Sequence, residues 1–123
     1  MIEDLLKKKN MFFLKKKKIK VQARSIFLQG LLLPNLNKIK NKPYIDKNFF
    51  YEFETWIKKN KMSKLQACLN FIKCQKRLDS IVIGVENLGQ LKDIEYLLKS
   101  KRNKEYPKKI ISNKKNFFDP RRW

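Results

Sequence analysis

Residues 80–98 read SIVIGVENLGQLKDIEYLL, and the hydrophobic period changes partway along them. Ile81, Val82 and Ile83 are consecutive β-branched residues, whose restricted χ1 suits a strand buried on both faces. Gly84 ends the run. From Leu88 onward, Leu91, Ile94 and Leu98 recur at three- and four-residue steps with Lys92 and Asp93 between them, the pattern of an amphipathic helix. Asn87 precedes that helix and Gln90 follows three residues on, a capping-box spacing. Strand, tight turn and helix make half of a βα unit, and free amides at such a helix start can hold an anion. With only Gly84 and Gly89 in the stretch and no glycine-rich run, a purely structural role is the preferred reading of these residues over a binding one.

The chain has 123 residues, the size of one domain, and 42% hydrophobic residues suffice for a core. Its 31 basic and 11 acidic residues give a net charge of +20, which invites a polyanion partner, either nucleic acid or another anionic surface. The excess is 26 Lys to 5 Arg, although Arg suits planar contacts with phosphates and base edges better. The lysines also run from Lys7 to Lys115 rather than gathering in one segment, and Ala occurs only twice. Lys, Asn, Ile and Phe share codons built from A and T, so nucleotide bias in the genome accounts for the lysines better than selection for a polyanion partner does.

Cys68 and Cys74 are the only cysteines and histidine is absent, which leaves no zinc site and no histidine acid or base. Six residues apart on a helix, the two thiols point about 240° apart, so reduced, core-facing cysteines are expected. No stretch approaches the roughly twenty apolar residues that span a bilayer, and the apolar run Met11 to Leu14 is too short for a signal peptide. A cytoplasmic location follows as the expectation.

Along the chain, residues 1–19 read as a lysine-rich helical lead-in with Ile2, Leu5, Leu6, Phe12 and Phe13, closed by Lys15 to Lys18 where cations favour the helix dipole. Val21, Ala23, Ser25 and Phe27 alternate with Gln22, Arg24, Ile26 and Leu28, as on an inner strand that Gln29 and Gly30 break. Asn35 to Tyr44 has no period and reads as a surface loop. Asp46 caps a helix to Asn60, with Ile45 and Phe50 at the staple positions and a core face of Phe49, Phe53, Trp56 and Ile57. Ser63 and Gln66 open another helix, with Leu65, Cys68, Leu69 and Ile72 on one face. Residues 100–123 read as a basic tail anchored by Phe117, Phe118 and Trp123.

Two strands separated by helices imply parallel pairing, yet two are too few for a parallel sheet covered on both faces. Here KVQARSIFLQGLLL (20–33) and LQACLNFIKCQKRLDSIVIGVENLGQLKDI (65–94) resemble the last two strand-helix units of the aldo/keto reductases, and the final DPRRW is similar to the ending of a bacterial branch of them. The resemblance implies an α/β chain that is the C-terminal fragment of a (β/α)8 TIM barrel, with residues 20–99 supplying strands seven and eight and their helices.

It also implies an NAD- or NADP-linked oxidoreductase ancestry. Ser25, Phe27 and Gly30 lie where that family cradles the cofactor pyrophosphate, and Gly84, Val85, Asn87, Gln90 and Asp93 lie at the adenosine end. Glu86 stands in that turn where NADP-using members often place a cation, and a carboxylate suits a ribose diol better than a phosphate. Ile94 replaces a common asparagine. The family's catalytic Tyr, Asp, Lys and His come from earlier strands, and Tyr44, Tyr51, Tyr96 and Tyr106 fall at no strand end, so this chain alone is expected to reduce no carbonyl. An upstream chain supplying the remaining strands, a truncated or decayed product, and an unrelated basic binding protein are the alternatives.

Overall fold

A computed structural model describes residues 8–75 and 78–101 together with Tyr106, Ile110 and Asp119. Within them the element order is α1 (Lys8–Lys16), β1 (Gln22–Ala23), α2 (Leu36–Ile39), α3 (Lys47–Lys59), α4 (Lys64–Lys73), β2 (Ser80–Ile81) and α5 (Leu88–Lys99).

Local signals set the three main helices. Asp46 starts α3 by accepting a hydrogen bond from the Phe49 amide at 3.2 Å, and Ile45 and Phe50 are buried together as a hydrophobic staple. The helix ends at Asn60, after which Lys61 turns into the left-handed region at φ 51°. A full capping box opens α4: Gln66 N donates to Ser63 Oγ at 3.0 Å, and Ser63 N donates to Gln66 Oε1 at 2.7 Å. At α5 the Gln90 amide donates to Asn87 Oδ1 at 2.9 Å, while the Gln90 side chain reaches one residue further back than a capping box requires and accepts from Glu86 N.

The strands pair in parallel, Gln22 opposite Ser80 and Ala23 opposite Ile81. Asp79 fixes the register from both ends, its amide donating to Val21 O at 2.9 Å while its Oδ2 accepts from Val21 N at 2.7 Å. Val82 N to Ala23 O at 2.8 Å is the last rung. Beyond it the expected inner strand does not continue. Ser25, Leu28, Gln29 and Gly30 all have positive φ, and Leu28, Leu31, Leu32 and Leu33 donate their amides back to Ser25, Leu28, Phe27 and Gly30 within successive turns. Val82 is exposed and Ile81 and Ile83 are only half-buried, so the expected strand covered on both faces is also absent.

Helices build the core. Phe53 and Ile57 of α3, Ala67, Cys68 and Leu69 of α4 and Ile94 of α5 meet around Phe27, which drops in from the turn after β1. A second cluster joins Leu31, Ile39, Ile45 and Phe50, with Leu32 and Phe49 touching both. Ile39 belongs to α2, a short helix within the segment expected to be a surface loop, and its burial draws that segment inward. Phe49, Phe53, Trp56 and Ile57 form the expected core face.

The barrel-fragment expectation is therefore corrected. A closing barrel segment needs long strands buried between two neighbours. The described residues instead form a small, helix-rich mixed unit whose parallel ladder is two residues long and whose buried core contains no strand residue. Of the expected tail, Tyr106 packs edge-on against Phe71 with ring centroids 5.6 Å apart, and Ile110 touches the main core. Phe117, Phe118 and Trp123, like the first residues of the lead-in, lie outside the described residues.

Candidate functional site

Among the described residues an open cleft of about 720 Å³ lies beyond the carboxyl ends of the two strands, where α2, α3, α4 and α5 come together. Its apolar floor includes Phe27, Ile57 and Ile94 from the core. Asn35 and Asn37 border it on one side and Ser63, Lys64 and Lys58 on another.

Of the residues singled out for a cofactor, Phe27, Gly84, Gln90 and Asp93 line this cleft, and Ser25, Gly30, Val85 and Asn87 do not. Phe27 is buried and contributes a ring to the floor. Ser25 and Gly30 are exposed, and nearby turn amides are already spent on local carbonyls. At α5 the Gln90 and Glu86 amides are likewise engaged by the cap. The two proposed halves of a cofactor site are therefore joined only through Phe27 and the α5 side.

Sequence reading missed the polar centre of the cleft. Glu54 Oε1 accepts from Lys64 Nζ and from the Leu36 amide at 2.9 Å, tying α3 to the starts of α4 and α2. Burial alone would raise the Glu54 pKa, but the Lys64 hydrogen bond, the Leu36 amide and the charges of Lys64 and Lys58 outweigh it and hold the carboxyl below its ordinary value. A carboxylate bound this way is a poor proton acceptor. Such a cross-helix tie leaves no spacing signal in one sequence, because its partners are ten and eighteen residues apart.

Burial in the core, slightly opposed by the Lys64 charge, pushes the Cys68 thiol up to about 12 and makes it a weak nucleophile. Cys74 is half-buried, and neither cysteine is in a disulfide. Among the described residues no cluster of three His, Cys, Asp or Glu side chains could hold a metal ion, and no helix is long and apolar enough to cross a membrane. What the described surface does offer is cationic charge. Lys15 to Lys18, Lys20, Lys38, Lys40, Lys42, Lys58, Lys59 and Lys61 are all exposed, whereas Lys64 and Lys99 are held in ion pairs with Glu54 and Glu95.

No protein-family model matches this chain, and no curated protein or solved structure is similar to it. The comparisons supply no link to the aldo/keto reductases.

Proposed function

We propose that this chain is a polyanion-binding protein that engages nucleic acid through its lysine surface without reading base sequence. The observation that carries the reading is a net charge of +20, with most of the described lysines exposed on the helices and loops of a folded unit. Each lysine that neutralises a phosphate releases condensed counterions, and binding of this kind has Kd values of roughly 10⁻⁴ to 10⁻⁶ M at physiological salt. Lysine rather than arginine dominates, which suits point-charge contact with phosphates better than bidentate base readout. Cysteines held outside any disulfide fit a reducing, cytoplasmic setting.

Anisotropy of labelled duplexes of unrelated sequence tests this. Equal affinities are expected across sequences, with log K falling linearly in log salt and each engaged phosphate adding about 0.9 to the slope. The combined K15Q, K16Q, K17Q and K18Q variant flattens that slope. An affinity indifferent to salt overturns the reading, and a preference for anionic vesicles over duplex assigns the lysines to a lipid surface instead.

A second reading has one observation in its favour: Phe27, Gly84, Gln90 and Asp93, four of the residues picked for an NAD or NADP site, line one cleft. It makes the chain a nucleotide-binding relative of oxidoreductases that performs no carbonyl reduction itself. Saturable quenching or enhancement of NADH or NADPH fluorescence supports it, and the absence of any change at millimolar cofactor removes it.

A further inference from the structure

Two unpartnered surfaces of opposite character lie on this one chain. Helix α1 packs on no other helix or strand among the described residues, and it presents Phe12 and Phe13 to solvent at 72% and 57% exposure. At its end and just beyond it, five of the six residues from Lys15 to Lys20 are exposed lysines. Separately, the run from β2 into α5 exposes Val82, Val85, Leu88 and Leu91, the last two one helical turn apart on α5. That run is the less basic part of a strongly basic chain: from Ser80 to Lys99 stand Glu86, Asp93 and Glu95 against Lys92 and Lys99, and Lys99 is paired with Glu95. β2 also pairs with β1 on one side only among the described residues.

We propose that the chain self-associates head to tail, the basic, aromatic α1 of one copy seating on the acidic, apolar β2–α5 strip of a second copy. The contact places Phe12 and Phe13 on Val85, Leu88 and Leu91 and sets the Lys15 to Lys20 run beside Glu86 and Asp93. A strip-on-strip contact would put like acids together, and an α1-on-α1 contact would do the same with lysines. Only the crossed arrangement satisfies charge and apolar burial at once. When each copy donates its α1 to the other, the exchange closes as a two-fold dimer, and otherwise it propagates as an open chain. At an ionic strength near 0.15 M the screening length is about 8 Å, so the overall repulsion of two basic molecules is damped while contact pairs persist.

Sedimentation velocity of the full chain across micromolar concentrations tests the arrangement, with circular dichroism confirming that each variant keeps its helices. Mass is expected to rise with concentration. The F12S, F13S pair and the L88Q, L91Q pair change only exposed side chains, and each is expected to weaken association about tenfold or more. Mixing the two variants restores one intact contact, from α1 of the strip variant to the strip of the α1 variant, so a mixed complex forms that neither variant makes alone. Three results overturn the proposal: a monomer at every concentration, which includes α1 docking within its own chain; association that persists in either variant, which signals a like-on-like contact; and failure of the mixture to associate.

Discussion

Lys64 Nζ donates to Glu54 Oε1 and, at 2.6 Å, to the carbonyl oxygen of Pro34, so a single ammonium group holds together α4, α3 and the segment that enters α2. The lysine side chain is only 12% exposed, and removing its partner leaves a cation with little water to replace the lost carboxylate. E54Q is expected to lower unfolding free energy by about 1–3 kcal/mol, because the amide keeps the bond geometry but not the charge. Replacing both partners, as in E54L with K64M, costs less than the two single changes added together, since no charge is then stranded. Urea unfolding of the four proteins closes that cycle.

The same carboxylate predicts the direction of acid denaturation. Its pKa in the folded chain lies below the ordinary value of 4.5, so the folded state holds this proton less readily than the unfolded chain. The stabilisation from Glu54 is therefore complete above about pH 4.5 and declines as pH falls through the folded value. Melting temperature measured downward from pH 6 should drop less steeply in E54Q than in the unmodified chain.

Thiol chemistry separates the two cysteines. Cys68 is 6% exposed, inside the core between α3, α4 and α5, and its pKa of about 12 leaves almost no thiolate at neutral pH. Cys74, at the end of α4, is half-buried. Brief iodoacetamide treatment of the native chain is expected to modify Cys74 alone, and treatment in denaturant to modify both, as read by peptide mass spectrometry. Equal native labelling would show that the core cluster around Cys68 does not hold.

Helix starts were the most legible part of the sequence. Asp46, Ser63 and Asn87 all cap where their neighbours predicted, because a cap is a short-range hydrogen bond set by residues three apart. Parallel pairing of the two strands was also legible from their separation by helices. Strand length was not. Alternation from Val21 to Phe27 satisfies a strand pattern, yet Phe27 is buried by a turn that folds it onto helices, and period alone does not distinguish the two routes. The barrel expectation failed at the same point, since it needed that alternation to be a full strand. In the cleft, Gln90 and Asp93 were singled out only through the family resemblance, and the Glu54–Lys64 tie depends on how helices meet and has no local signature.

The turn after β1 is where the barrel expectation and the structure part, and it offers the sharpest backbone test. Gln29 has φ 55° and Gly30 φ 81°, consecutive residues in the left-handed region. For a residue with a Cβ that region costs roughly 1–2 kcal/mol, whereas glycine enters it freely. Gln29 is exposed, so Q29G relieves the backbone while losing little packing, and the gain exceeds the extra chain entropy that glycine brings to the unfolded state. At Gly30 the space around an added Cβ is open, so G30A meets no clash and its effect isolates the dihedral cost alone. Opposite signs are expected: a higher melting temperature for Q29G and a lower one for G30A, each corresponding to about 1 kcal/mol. If residues 25–30 instead continued β1 as an extended strand, glycine at position 29 would weaken it and alanine at position 30 would strengthen it, reversing both signs.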